Sequence, residues 1–250
     1  MFPDFKKGGI EFNAKWAVLI LFQILFTRRI KKRNHIKLFG NYYLYKHGIN
    51  KDSIVYSFGI GNNICFDAMV NKIFGCKIYC YDPTPQSVEY MAKFKDDPRF
   101  EFVPKGVFHK KGTFKLWQPS NLKKINSSLI PIFKNKGGST VEVECDTIPN
   151  FMKENGHTHI DILKMDIEGV AVDIMHQLIK YDIKPKQIAV ELEIFGFRKS
   201  MTLRLKEFYK LIQEYKRHGY EVFYFDARRS RTVELLFVRK DVFISAKHSR

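Results

Sequence analysis

A chain of 250 residues with 45% hydrophobic content is long enough for one α/β domain with a full core, and no internal repeat or low-complexity segment interrupts it. Its formal charge of +17 fits either a polyanion partner or a solvated basic face, so charge alone does not decide function. The four cysteines form no Cys-x-x-Cys pair and have no histidines at ligand spacing. That pattern argues against a structural metal and reads as reduced core thiols of an intracellular protein.

Residues 1–50 read as an N-terminal helical and basic extension, and 51–250 as the main domain. Within the extension, Trp16 to Phe26 is an apolar run broken only by Gln23, followed by the basic block Arg28, Arg29, Lys31, Lys32 and Arg33. Eleven helical residues rise about 16 Å, short of the roughly 30 Å hydrocarbon core, so a simple span is not expected. The basic block also lies on the wrong side for a signal peptide. A helix packed on the domain, an interfacial helix on an anionic membrane and a cover over the acceptor all remain open for residues 16–33. The expected location is the cytoplasm, with peripheral membrane contact through that segment as an open alternative. Without a secretory signal, Asn126-Ser127-Ser128 reads as a polar loop rather than a glycosylation site.

The main domain opens on Ile54 to Phe58, an apolar run expected as a buried strand, with Gly59-Ile60-Gly61 as a tight turn after it. A helix is expected near 63–73, then a strand over 77–81 ending on Asp82. Glycines of this kind let backbone approach a ligand closely, and an acid about 20 residues on can accept hydrogen bonds from ribose hydroxyls. Asp82 follows Gly61 by 21 residues. The third glycine of a dinucleotide fingerprint is replaced by Ile64, and no Walker pattern occurs, so no phosphate cradle is evident. An adenosine carried on a sulfonium suits such a turn better than a pyrophosphate.

A helix near 85–95 and a strand near 100–104 follow. Ile160 to Met165 is another buried strand, ending in Asp166-Ile167-Glu168-Gly169 before an amphipathic helix over 169–180. Two carboxylates therefore stand at a strand's carboxyl end, where open α/β sheets bind ligands. A strand over 187–193 and a helix over 202–218 come next. Two last strands, Gly219 to Phe225 and Val233 to Val238, have too short a connection for a parallel crossover and must pair as an antiparallel hairpin.

Val55 to Gly61, Tyr81-Asp82-Pro83-Thr84-Pro85 and above all Leu163-Lys164-Met165-Asp166-Ile167-Glu168-Gly169 resemble the FkbM-type methyltransferases. The likeness runs from about Gly40 to about Arg239, with Gly106-Val107 and Ser127-Ser128-Leu129 between the motifs. It implies a Rossmann-like, seven-stranded methyltransferase sheet, mostly parallel with a C-terminal antiparallel hairpin and helices on both faces. It also implies S-adenosyl-L-methionine as cofactor and O-methylation of a sugar or other small hydroxylated acceptor. The chain departs from the pattern at Ser57, where an acid is commoner, at Asn62-Asn63, and at Glu193, where relatives often carry a histidine. A mechanism built on that histidine does not transfer.

The expected cofactor set is Gly59, Gly61, Asp82, Thr84, Ser87, Gly106 and Asp166, with Asp82 on the ribose and Asp166 toward the amino-acid end. Glu168 is expected to position the acceptor or remove its proton, with Asp166 and Glu193 as the other catalytic candidates. Glu191 shares a strand face with Glu193. The competing role for Glu168 is to stabilise the start of the following helix. His157 and His159 precede their strand and read as structural, while His109 stays open as a base. No metal is expected. The alternatives are an RNA methyltransferase and a non-catalytic basic module binding nucleic acid or membrane. The adenine-N6 motif and an activated nucleophilic cysteine are both missing, because Cys80 and Cys145 lie in apolar surroundings.

Overall fold

The computed structural model describes residues 35–118, 129, 139–193, 201–226 and 232–248. The 16–33 segment and Asn126, Ser127 and Ser128 lie outside the described residues. The chain enters through a hairpin of β1 (Ile36–Phe39) and β2 (Tyr42–Tyr45). This corrects the expectation of a helical extension for its last part. Gly40 takes a positive φ of 55° at the reversal, and Phe39, Tyr42, Leu44 and Tyr45 are buried. Burying four large side chains from a two-stranded unit requires that it dock on something larger. It docks through Gln187, wholly buried, whose carboxamide accepts from Tyr45 N (2.8 Å) and donates to Tyr45 O (2.6 Å), as a neighbouring strand would.

The main domain then alternates strand and helix: β3 (Val55–Phe58), α1 (Cys65–Phe74), β4 (Ile78–Tyr81), α2 (Pro85–Met91) and β5 (Phe100–Val103). A small sheet follows, made of β6 (Gly106–Val107), β7 (Gly112–Gln118) and β8 (Ser139–Asp146) in the order β6-β8-β7. Next come α3 (Ile148–Glu154), β9 (Ile162–Met165), α4 (Ala171–Lys180), β10 (Gln187–Glu193), α5 (Met201–Arg217), β11 (Tyr220–Asp226), β12 (Thr232–Arg239) and α6 (Lys240–His248). The seven-stranded sheet has the order β11-β12-β10-β9-β3-β4-β5. The strands from β10 through β5 are mutually parallel, and β12 runs antiparallel to both β10 and β11. The expected C-terminal hairpin is present, and its second strand fills the place between β10 and the edge strand β11.

Strands buried on both faces read as unbroken apolar runs, and β3 and β9 are buried at every residue. Side-chain alternation divides them between two cores. Tyr56, Phe58, Leu163, Met165, Ile188 and Val190 face one, packed by α4 and α5 through Ile174, Leu178, Leu211 and Ile212. Val55, Ile162 and Ala189 face the other, with α1 and the hairpin supplying Phe66, Val70, Phe39 and Leu44. On that second side Ser57 and Lys164 occupy the alternate positions and are also buried.

Cys76 and Cys80 belong to the second core, Cys145 is buried in a smaller cluster with Leu116 and Val143, and Cys65 is exposed, so the expectation of core thiols holds for the first three only. Burial pushes the Cys76 thiol up to about 11 and the Cys145 thiol up to about 12. Iodoacetamide at neutral pH should therefore label Cys65 alone in the folded protein, and peptide mass mapping would show it. Labelling of Cys145 before unfolding would contradict this packing.

Candidate active site

The strand order reverses between β3 and β9, and a cavity of about 340 Å³ opens there at the carboxyl ends of the parallel strands. Both its place and its size are those of a small-ligand site. Gly59 leaves β3 at φ 80° and Gly61 follows at φ 58°. A Cβ on Gly59 would lie 1.9 Å from the Asp166 carbonyl oxygen, so only glycine lets the two strand ends meet. Phe58 O accepts from Asp166 N (3.0 Å), and Tyr81 O accepts from Gly59 N (3.0 Å). The turn is thus fastened to both neighbouring strands.

Asp82 closes the turn from the next strand end. Its Oδ2 accepts from Ile60 N (2.8 Å) and Gly61 N (2.9 Å), and its Oδ1 from Thr84 N (2.8 Å) and Thr84 Oγ1 (2.7 Å). A carboxylate has about four lone-pair positions, and here the chain fills all of them. Asp82 lines the cavity as expected, but a ribose could engage it only by taking the place of one of these partners. The same bonds argue against a pyrophosphate, since the turn's amides already hold an anion.

Thr84 lines the cavity and caps α2, with Pro85 at the first helical position. Ser87 is fully buried behind it, its amide donating to Thr84 Oγ1 (3.3 Å), and is absent from the cavity wall. Gly106 is also absent from that wall; a Cβ there would come 2.8 Å from Cys145 Sγ and 3.2 Å from Pro83 Cγ. Its neighbour Val107 lines the cavity, with Pro83 and Leu116 beside it.

Asp166 and Glu168 bring two carboxylates from the end of β9, and Glu191 a third from β10. Helix α4 starts at Ala171, with Val170 at its N-cap and no cap from that side chain. Glu193 shares the face of Glu191 but lies off the cavity wall, and its Oε2 is buried with no hydrogen-bond partner among the described residues. His157 pairs with Tyr56 Oη (2.8 Å) and His159 with Asp161, both at the opposite end of the strands. His109 lies off the wall, its carbonyl accepting from Gln177 Nε2. Among the described residues no group of His, Cys, Asp and Glu could hold a metal ion.

Two wall residues escaped sequence reasoning. Tyr42 arrives from the hairpin, and its phenol proton is held well above its ordinary range by burial, with the negative charge of Asp166 and Glu191 adding to it. Among the described residues Lys164 is the one basic residue on the wall, 4% exposed, with its ammonium donating to the carbonyls of Gly59 and Phe58 and standing 5.5 Å from the Tyr42 ring centroid. The signal for Lys164 was in plain view, as a charge inside an apolar strand. With that ammonium already committed to carbonyls, the cavity is rich in carboxylates and poor in anion-binding groups. It suits a cationic ligand such as an adenosyl sulfonium.

A family model described as the methyltransferase FkbM domain matches residues 32–222. Among solved structures, the chain is similar to the Methanococcus jannaschii fibrillarin pre-rRNA processing protein at 12% identity and a TM-score of 0.47, covering 82% of this chain and 70% of that one. It is similar to Aeropyrum pernix fibrillarin with natively bound S-adenosyl-L-methionine at 11% identity and a TM-score of 0.42, over 76% and 67% of the two chains. A putative rRNA-methylase from Clostridium thermocellum shares 7% identity at a TM-score of 0.42, over 76% and 88%. Likenesses this distant carry no weight for the acceptor. No curated protein matches the chain.

Proposed function

The chain belongs to the FkbM methyltransferase family, and from that premise we propose that it methylates a hydroxyl oxygen of a sugar or another small hydroxylated acceptor. S-adenosyl-L-methionine is the methyl donor and supplies, when bound, an electrophilic methyl group on a sulfonium. The glycine turn with Asp82 and Thr84 would hold its adenosine side, with Val107, Pro83 and Leu116 as apolar wall. Asp166 would face the amino-acid end.

The observation that carries the acceptor class is the acidic wall formed by Asp166, Glu168 and Glu191. Carboxylates accept hydrogen bonds from alcohols, and their negative charge repels a phosphodiester backbone. Methyl transfer to an alcohol needs the oxygen held in line and its proton removed. We assign that proton to Glu168, which lines the cavity beside Asp166 just past the end of β9. A labelled-methyl assay comparing a glycan extract with total RNA tests the proposal. Counts are expected in the glycan fraction, and counts confined to RNA would overturn it. In the active fraction, Glu168→Gln should lower kcat by about 10²- to 10⁴-fold while calorimetric affinity for S-adenosyl-L-methionine stays unchanged.

A further inference from the structure

Lys164 stands inside β9, a strand otherwise made of Ile162, Leu163 and Met165. A buried ammonium costs desolvation that an apolar residue would avoid. Its face of the sheet explains how the charge is tolerated. Asp67, on α1 and 1% exposed, packs on the same side, and its Oδ1 has no hydrogen-bond partner among the described residues. Burial raises the Asp67 carboxyl, and the positive charge of Lys164 draws it back down.

The ammonium itself is aimed at backbone. It donates to Gly59 O, while the N–H of the same Gly59–Ile60 peptide donates to Asp82 Oδ2. One peptide plane is therefore gripped at its oxygen by a cation and at its hydrogen by an anion. We propose that Lys164 is a positioning residue for the methyl donor: it fixes the carbonyl end of the Gly59–Ile60 peptide, so the glycine turn keeps its form when a ribose draws Asp82 away from the amide end. The four filled acceptor positions of Asp82 make this second grip necessary, because donor binding must take at least one of them. The proposal rests on the methyl-donor assignment and is independent of the acceptor.

The test compares Lys164→Met, Asp67→Asn and the double variant, by thermal melting and by calorimetric titration with S-adenosyl-L-methionine. Lys164→Met leaves a carboxylate without its counter-charge and should melt lower; the double variant removes both charges and should recover most of the loss. Affinity should behave differently. Asp67→Asn keeps the Lys164 contacts and should bind close to the native value, whereas Lys164→Met and the double variant should bind about tenfold to a hundredfold more weakly, the range of a charged hydrogen bond. A double variant that binds as tightly as the native protein would overturn the proposal and leave Lys164 as an ion-pair partner only. Should Lys164→Met fail to fold, the double variant alone decides. Absence of binding by the native protein would remove the donor assignment, and this proposal with it.

Discussion

Gly59→Ala is expected to be destabilising by about 3–5 kcal/mol, with a melting temperature lowered by on the order of 10 °C. The added methyl would sit 1.9 Å from the carbonyl oxygen of Asp166 and 2.7 Å from its carbonyl carbon, and both belong to backbone that cannot swing aside. Its φ of 80° adds strain of its own for an L side chain. Relief requires β3 and β9 to part where they are hydrogen-bonded neighbours, at the floor of the cavity. A domain stable by roughly 5–15 kcal/mol would lose a large part of its margin. Urea unfolding monitored by circular dichroism measures this, and a native midpoint in the variant would show that the strand ends are not in such close contact.

Asp82→Asn should weaken S-adenosyl-L-methionine binding by at least about a hundredfold, or roughly 2.7 kcal/mol. The substitution keeps size and one acceptor oxygen but replaces the other with an NH₂ group. Either orientation sets donors against donors, at Ile60 N and Gly61 N on one side or at Thr84 N on the other. A buried donor left unpaired costs about 1–3 kcal/mol, and Asp82 is 4% exposed. The turn should open and the ribose lose its acid in the same step. Titration calorimetry reads the loss directly; an Asn variant with native affinity would mean that the carboxylate charge is not what the donor needs.

Both residues were visible in the sequence because buried parallel strands read as apolar runs and their ends were marked by glycine or an acid. Asp166, Glu168 and Glu191 were legible by the same rule. What the residues around Asp82 would do to it was not, because two of its four partners are amides 21 and 22 positions away that meet it only after the strands align. Glu191 and Glu193 share a face and differ by two residues, roughly 7 Å along a strand; that distance separates a wall residue from one beyond it. Lys164 was read only as part of a buried strand, because Asp67 and Ser57, the other polar residues buried with it, are distant in sequence. The hairpin was hidden differently. Gly40-Asn41 is a turn signal between Leu38-Phe39 and Tyr42-Tyr43, yet the lysine-rich context merged it with the preceding extension.

The insertion of β12 between β10 and β11 sets an order of assembly. Among the described residues, every one that lines the cavity precedes it in the chain, the last being Glu191. During synthesis β11 has no strand to pair with until Thr232 to Arg239 emerges, and the open flank of β10 is a row of unsatisfied amides and carbonyls in the meantime. A ribosome-stalled or truncated product lacking that strand would carry the described cavity residues and still be a template for aggregation. The yield of soluble protein should therefore depend on the final strand far more steeply than on any residue of the site.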